Sequence, residues 1–197
     1  MKPATERGET ARLFFALWPD ERTRSALAAM AREYCAECGG RAVPGANIHL
    51  TLAFLGDVPV VRMRELLALA SGIAPSPFAL AIDHHGYWRH NRIVWAGARQ
   101  CPLPLRQLAG ELAESMRANG FRYDAREYAP HITLVRDARR GPGPAMLGPV
   151  VWQVADFVLV RSTPGGGSSA YEIVGRLTSS PGDSASRNGN PGVMRLL

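Results

Sequence analysis

The apolar residues in the first part of the chain follow an order that predicts strand, helix and strand. Residues 12–17, RLFFAL, predict the first strand. A helix follows, with Asp20 as its N-cap and an end before Gly39 and Gly40. The next strand is predicted over residues 47–56, NIHLTLAFLG. The apolar stripe of the helix consists of Leu27, Met30, Ala31 and Tyr34.

The middle of the chain predicts a second helix and a β-hairpin. Pro59 opens this helix, and arginines occupy the positions outside its apolar stripe. Residues 78–83 and 92–98 then predict two strands. Because the sequence HHGYWRHN between them is polar and contains Gly, we predict that it is the loop of a hairpin. The helix stripe consists of Met63, Leu66, Leu67 and Ala70.

A third helix and three further strands complete the pattern. The helix is predicted over residues 103–119, with Gly120 as its stop. Its apolar stripe consists of Leu105, Leu108, Leu112 and Met116. The strands are predicted over residues 129–137, 151–160 and 171–177, with a Gly- and Pro-rich loop at 141–149 and a turn at 165–167.

The order of elements in the first half is repeated in the second. Strand RLFFAL, a helix and strand IHLTL are followed later by strand RIVWAG, a helix and strand HITLV. We therefore predict an α+β fold of two pseudo-symmetric lobes, each an antiparallel-type sheet backed by helices, with a central cleft. Residues 12–178 form this single domain, residues 1–11 are expected to be flexible, and the Ser-, Gly- and Asn-rich residues 179–197 to be disordered.

Composition and charge narrow the class of protein. The 197 residues suffice for one substantial domain, and a hydrophobic fraction of 46% excludes global disorder. The formal net charge of +6 suits a polyanionic partner such as RNA or a phosphorylated substrate. The first eleven residues lack the apolar core of a signal peptide, and no run of apolar residues has the length of a membrane span, so we expect a cytoplasmic protein without membrane contact.

Two groups of potential metal ligands have interpretations that are simpler than metal binding. The cysteines are Cys35, Cys38 and Cys101, an odd number that argues against a disulfide framework. No second Cys pair completes a zinc site with the first two, so free thiols at a helix end are favoured. The predicted hairpin loop contains His84, His85 and His90. A polar loop is favoured there over an adventitious metal site.

Two short stretches carry the candidate chemistry. The first is NIHLTLAFLG and the second is APHITLVRD, residues 129–137. Successive side chains of a strand point to opposite faces, so His49 shares a face with Thr51, and His131 shares one with Thr133. Buried polar groups are unfavourable unless they are paired, and this pair recurs at identical spacing. The repetition indicates a shared task.

Two imidazoles that face each other can divide the work of acid and base. Their ordinary pKa of about 6.5 lets one give a proton while the other accepts one near neutral pH. Threonine hydroxyls donate neutral hydrogen bonds that suit the oxygens of a phosphodiester. No Asp/Glu cluster or histidine triad accompanies the two stretches, so we expect the chemistry to need neither a metal nor a cofactor.

The sequences IHLTLAFLG and PHITLVRD resemble the paired His-x-Thr-x motifs of the two-histidine phosphoesterase superfamily. RLFFAL and RIVWAG resemble its bacterial branch, the RNA 2',3'-cyclic phosphodiesterases, also called 2'-5' RNA ligases. The resemblance implies metal-independent hydrolysis of RNA 2',3'-cyclic phosphate ends to 2'-phosphate ends by a protein that we expect to be monomeric.

The same resemblance implies a role for each motif residue. His49 would donate a proton to the departing 3'-oxygen, and His131 would accept one from water. Thr51 and Thr133 would hold the non-bridging oxygens, and Arg136 would add a charge-assisted contact to the phosphate. Strict alternation places Arg136 on the opposite face from His131, so its role requires the strand to end, twist or bulge after Leu134.

Several alternatives remain open from sequence. The reaction could run in reverse and join RNA ends through a 2'-5' bond, or the substrate could be a small cyclic nucleotide. A non-catalytic RNA-binding module on the same fold would bind RNA ends without forming product. An aromatic ring near the cleft could stack on a substrate base. The candidates for stacking are Phe15, Trp88 and Tyr128.

Overall fold

The computed structural model describes most of the predicted domain. The described residues are 9–73, 75–123, 128–144, 148–163, 165 and 170–178. The first strand already includes Thr10 and Ala11, so the ordered domain begins earlier than the predicted residue 12. The predicted tail, residues 179–197, and most of the turn predicted at 165–167 lie outside the described residues.

The elements follow the predicted order with two short additions. The helices are α1 (Glu21–Cys38), α2 (Met63–Ser71) and α3 (Leu103–Ala118). The strands are β1 (Thr10–Leu17), β2 (Arg41–Ala42), β3 (Leu50–Pro59), β4 (Phe78–Ile82), β5 (His84–Trp88), β6 (Ile93–Gly97), β7 (Ile132–Arg136), β8 (Val150–Val154), β9 (Asp156–Thr163) and β10 (Ala170–Thr178). Short 3-10 turns lie at Gly45–Asn47 and Val60–Arg62.

The two signals predicted for α1 are confirmed by local geometry, whereas Pro59 does not open α2, which begins only at Met63 after the 3-10 turn at Val60–Arg62. The carboxylate of Asp20 accepts a hydrogen bond of 2.8 Å from the backbone N–H of Thr23, which caps the start of α1. Helix α1 ends at Gly39, whose φ of 71° is accessible to glycine at little cost. The α1 and α3 stripes are buried as predicted, whereas Met63 and Leu67 of the α2 stripe are only partly buried.

Strands from both halves join in one continuous antiparallel sheet. Its order is β10-β9-β1-β3-β7-β6-β5, and the short β2 pairs with the end of β7. The two halves meet where Leu50 of β3 pairs with Ile132 of β7. Helix α1 packs against β7 and α3 packs against β3, so each helix backs a strand of the other half. The α+β fold with antiparallel sheets and backing helices is therefore confirmed.

The sheet has an apolar cluster on each face. Leu13, Phe15 and Leu17 of β1 belong to the large core beneath the helices. Because side chains alternate along a strand, Phe14 and Ala16 lie on the opposite face, where they pack with two residues of β9. This second face carries the cleft described below.

The predicted hairpin between residues 78–83 and 92–98 is wrong. Strand β4 pairs with β8 in a separate two-stranded sheet. The sequence predicted as the loop instead forms β5, which pairs with β6, and the connecting turn includes Arg92 with a φ of 56°. The loop was predicted from the polarity of this sequence alone. Its histidines and aromatic residues are nevertheless compatible with a strand that is partly buried on both faces.

Candidate active site

Both motif histidines lie at the centre of the large sheet. His49 directly precedes β3 and His131 directly precedes β7, the two strands through which the halves meet. They face one cleft of about 520 Å³, which is also lined by Thr51, Thr133 and Arg136. The structure therefore brings together all five predicted catalytic and phosphate-binding residues.

The two imidazoles are held in the same way. Nδ1 of His49 lies 2.7 Å from the backbone oxygen of Asn47, and Nδ1 of His131 lies 2.8 Å from that of Ala129. A carbonyl oxygen can only accept a hydrogen bond, so Nδ1 carries a proton in both rings. Nε2 of each ring is then the atom that can gain or release a proton.

A β-bulge explains how Arg136 reaches the cleft. On β7, Thr133 pairs with Trp95 and Val135 pairs with Val94, so Leu134 has no partner on β6. Leu134 and Val135 are consecutive buried residues, and the alternation of side chains shifts by one position. Arg136 consequently lies on the same side as Thr133, which is the geometry that its predicted role required.

An equivalent bulge follows the first motif. On β3, Thr51 pairs with Ala16 and Ala53 pairs with Phe15, which leaves Leu52 unmatched. Leu52 and Ala53 are both buried, so the next residue, Phe54, returns to the cleft. Phe54 thus occupies the position in the first motif that Arg136 occupies in the second. Its side chain is 39% exposed, which leaves an aromatic surface open to a ligand.

Three aromatic rings surround the imidazole of His49. Trp18 is stacked on it, with ring centroids 5.5 Å apart and an interplanar angle of 7°. Phe14 lies 4.9 Å away, and Tyr171 of β10 meets the ring edge at 5.2 Å. We call Phe14, Trp18 and Tyr171 the aromatic cage. It limits the access of water to one motif histidine.

His131 has a different aromatic neighbour. Trp88 of β5 approaches it in an edge-to-face arrangement, with ring centroids 4.4 Å apart. Burial lowers the pKa of His131, although the hydrogen bond to Ala129 favours the protonated form. The positive charge of Arg136 lowers this pKa further.

The pKa of His49 is strongly lowered. Burial in the aromatic cage is the main cause that lowers its pKa from 6.5 to about 4, and Arg136 and His131 lower it further. The hydrogen bond to Asn47 opposes this shift. In the protein alone both imidazoles are therefore neutral at pH 7, and the cleft favours an anion that could compensate the charge of Arg136.

The three predicted stacking residues have different positions. Trp88 and Tyr128 line the cleft, and the Tyr128 hydroxyl donates a hydrogen bond of 3.3 Å to the backbone oxygen of Thr51. Burial raises the pKa of that hydroxyl. Phe15 was wrongly predicted, because it is fully buried in the core on the other face of the sheet.

Sequence reasoning missed several aromatic residues at the cleft. The cage residues and Phe54 were not predicted, because they become neighbours of the site only through strand pairing and bulges. Phe54 had a detectable signal, since aligning the two motifs places it opposite Arg136. The aromatic cage had none, because Tyr171 is remote in sequence from His49.

The described residues also bear on the other predicted features. They include no group of three or more His, Cys, Asp or Glu side chains placed to hold a metal ion. The three cysteines are free thiols, as favoured from sequence. His84 and His85 lie in β5 rather than in a loop, whereas His90 lies in the turn. No described helix is long and apolar enough to cross a bilayer.

Comparisons with known proteins agree with this geometry. The sequence model of the LigT-like phosphoesterases matches residues 17–95. The curated Escherichia coli (strain K12) protein named RNA 2',3'-cyclic phosphodiesterase is 36% identical over 166 residues, which cover 83% of this chain and 93% of that protein. The Thermus thermophilus protein of the same name is 32% identical over 168 residues, covering 77% of this chain and 81% of that protein.

The fold of the chain also matches that of a solved structure of a relative. The crystal structure of E. coli LigT complexed with 3'-AMP matches with a TM-score of 0.76 and 34% identity. The match covers 87% of this chain and 99% of that chain. With the paired motifs, the shared cleft and nearly full coverage of these relatives, the chain belongs to the LigT-like phosphoesterase family.

Proposed function

We propose that this protein is a phosphodiesterase that opens the 2',3'-cyclic phosphate at the end of an RNA and leaves a 2'-phosphate. The observation that supports this most is that His49 and His131 both hold Nδ1 on a backbone oxygen and share one cleft. Each Nε2 is then available to a single phosphate group. The curated relatives carry the name of this activity.

His49 acts as the general acid. Water is scarce in the low-dielectric aromatic cage, so the protonated form of His49 is a strong acid. A strong acid is needed here because the 3'-oxygen would otherwise have to leave as an alkoxide. Its low pKa means that the proton must be acquired with substrate, because the negative charge of the phosphodiester favours the charged imidazole. Nε2–H of His49 then protonates the departing 3'-oxygen.

His131 acts as the general base. It is neutral at pH 7 because burial lowers its pKa, so Nε2 can accept a proton from an attacking water. The bond from the water oxygen to phosphorus forms while the bond from phosphorus to the 3'-oxygen breaks. After turnover His131 carries a proton and His49 has lost one, and exchange with solvent restores both.

The phosphate is held by the remaining motif residues. Thr51 and Thr133 follow their histidines by two positions on the same face and direct hydroxyl groups to the cleft. Hydroxyl donors stabilise the charge on the non-bridging oxygens as it redistributes. Arg136 supplies a fixed positive charge, and because this residue is exposed, its guanidinium can meet a ligand that enters from the cleft opening.

The nucleoside is held by aromatic side chains on the cleft walls. Phe54 presents an exposed ring on the β3 side, and Trp88 and Tyr128 also line the cleft. A base that stacks on one of them gains about 1–3 kcal/mol, largely independent of its identity. The proposed substrate is therefore an RNA end with little preference for one base.

Product identification tests this function. An RNA oligonucleotide with a 2',3'-cyclic phosphate is incubated with protein and EDTA, and the product is compared by ³¹P NMR with synthetic 2'- and 3'-phosphate standards. We expect only the 2'-phosphate. A 3'-phosphate would reverse the assignment of the leaving oxygen, and binding without product would favour the non-catalytic module. Joined tRNA halves in a parallel reaction would favour the reverse reaction.

A further inference from the structure

One face of the β5–β6 hairpin continues from the active site. Along β5, His84, Gly86 and Trp88 lie on the cleft side of the sheet. The residues between them point to the core, where the Tyr87 hydroxyl donates a hydrogen bond to the backbone oxygen of Ala138 and His85 contacts Tyr34. The cleft side of β5 is thus free of the contacts that anchor the strand.

Three rings on this face form a continuous series that begins at the catalytic histidine. Trp88 contacts His131, and Trp95 of β6 lies 5.5 Å from Trp88 between ring centroids. His84 lies a further 5.5 Å from Trp95. All three side chains are only partly buried. We call His84, Trp88 and Trp95 the aromatic patch, and only Trp88 of the three lines the cleft itself.

A glycine on β5 lets the patch lie flat on the sheet. A Cβ atom at Gly86 would come within 2.3 Å of the Trp95 indole, so the ring rests directly over the β5 backbone. The indole N–H of Trp95 is buried and has no hydrogen-bond partner among the described residues, so no polar contact explains the position of the ring. Trp95, like His84 and Trp88, is only partly buried, so each of the three residues keeps part of its surface exposed.

The charge around the patch suits a polyanion. Residues 84–99, HHGYWRHNRIVWAGAR, contain three arginines and no acidic residue, and the preceding Asp83 accepts a hydrogen bond of 2.7 Å from the backbone N–H of Arg99. Arg92 is paired with Asp137 at 3.0 Å, whereas no described carboxylate forms an ion pair with Arg89 or Arg99. The β1 side of the cleft is different, because Arg12, whose guanidinium lies 5.9 Å from the centroid of the Phe54 ring, is paired with Asp57 at 3.2 Å.

We propose that the aromatic patch binds the nucleotides that precede the reacting 3'-terminal nucleotide of a single-stranded RNA. Aromatic rings and basic groups on an open sheet face are a common arrangement for stacking successive unpaired bases. The proposal rests on the proposed function, and it adds that the substrate is an oligonucleotide that leaves the cleft across β5 and β6. Chain length, and not the terminal base, then determines affinity.

The test compares substrates of different length. The kcat/KM is measured for a mononucleoside 2',3'-cyclic phosphate and for a hexanucleotide with the same terminal group. For the unaltered protein we expect a clear preference for the hexanucleotide. In His84→Ala and Trp95→Leu this preference should fall by roughly five- to hundredfold, the range that the stacking of one base provides. Turnover of the mononucleotide should persist in His84→Ala.

His85→Ala is the matched control, because it removes the same side chain from the neighbouring position on the opposite face of β5. It should leave the length preference unchanged. Gly86→Ala displaces the Trp95 ring without altering the ring itself and should reduce the preference. Equal kcat/KM values for both lengths, or a preference that His84→Ala and Gly86→Ala leave intact, would overturn the proposal. Failure to turn over either substrate would instead refute the proposed function.

Discussion

The indole of Trp18 lies parallel to the imidazole of His49, with planes 7° apart and centroids separated by 5.5 Å. Trp18 follows the end of β1, and His49 precedes β3, which pairs with β1. The contact is therefore fixed by the central strands of the sheet. The contact gives the two motif histidines unequal surroundings, although the motifs themselves are nearly identical, and unequal surroundings allow unequal roles.

Opening the aromatic cage should raise the pKa of His49. In Trp18→Ala water reaches the ring, so the pKa should move from about 4 toward the ordinary 6.5, because burial is the main cause of the depression. An NMR titration of the imidazole protons measures this value. Trp88→Ala is the control, since it should alter His131 and leave His49 near its original pKa. An unchanged His49 pKa in Trp18→Ala would show that the cage does not set it.

A bound anion should raise the pKa of both histidines. Their depressed pKa values mean that the protonated forms are disfavoured in the protein alone, and a phosphate ion reverses part of this effect. We expect NMR titrations in inorganic phosphate to give higher pKa values than titrations in chloride at equal ionic strength. By linkage, phosphate should bind more tightly as the pH falls toward these pKa values. Affinity that is constant between pH 8 and pH 5, after allowance for the titration of phosphate itself, would contradict this.

Arg136 should matter for the reaction because the β7 bulge places it in the cleft. Arg136→Gln removes the positive charge, and a charge-assisted hydrogen bond to phosphate is worth about 1.5–3 kcal/mol, so kcat/KM should fall by roughly ten- to hundredfold. Arg64→Gln on the outer surface of α2 provides the control for a lost arginine. Equal activity in the two variants would place Arg136 outside the mechanism.

The Asp20 cap should contribute to stability and not to catalysis. Asp20→Ala removes the acceptor for the Thr23 backbone N–H and should lower the free energy of unfolding by about 1 kcal/mol. Urea unfolding followed by circular dichroism measures the loss. Asp20→Asn keeps a capping oxygen and should retain most of the stability. A loss of activity in folded Asp20→Ala would indicate a role that the cap does not explain.

Much of the fold and the centre of the site could be predicted from sequence because they depend on local patterns. The helix stripes, the Asp20 cap and the repeated His-x-Thr spacing are all readable within short windows. Arg136 was assigned to the site through the family resemblance and not through the alternation of side chains, because its position depends on a bulge at Leu134 that exists only relative to β6. Phe15 was misjudged for a similar reason, since which face of β1 meets the cleft is set by its neighbours in the sheet.

The predictions that were wrong or are still untested concern features that depend on contacts between distant residues or on a bound ligand. Strand β4 pairs with β8, which follows α3 and β7 in the chain, and not with the nearby β6. No local signal in the sequence identifies that partner. The roles of His49 as donor and His131 as acceptor stay a prediction, as do the monomeric state and the cytoplasmic location. The similarity of the two motifs cannot by itself separate acid from base.

The most direct test of the central claim is a leaving group that needs no proton. A substrate in which sulfur replaces the 3'-oxygen of the cyclic phosphate departs as a thiolate, so the general acid becomes dispensable. The account predicts that His49→Ala is nearly inactive on the oxygen substrate and regains much of its rate on the sulfur substrate, whereas His131→Ala stays inactive on both. Rescue of His131→Ala instead, or of neither variant, would contradict the assignment of His49 as the acid.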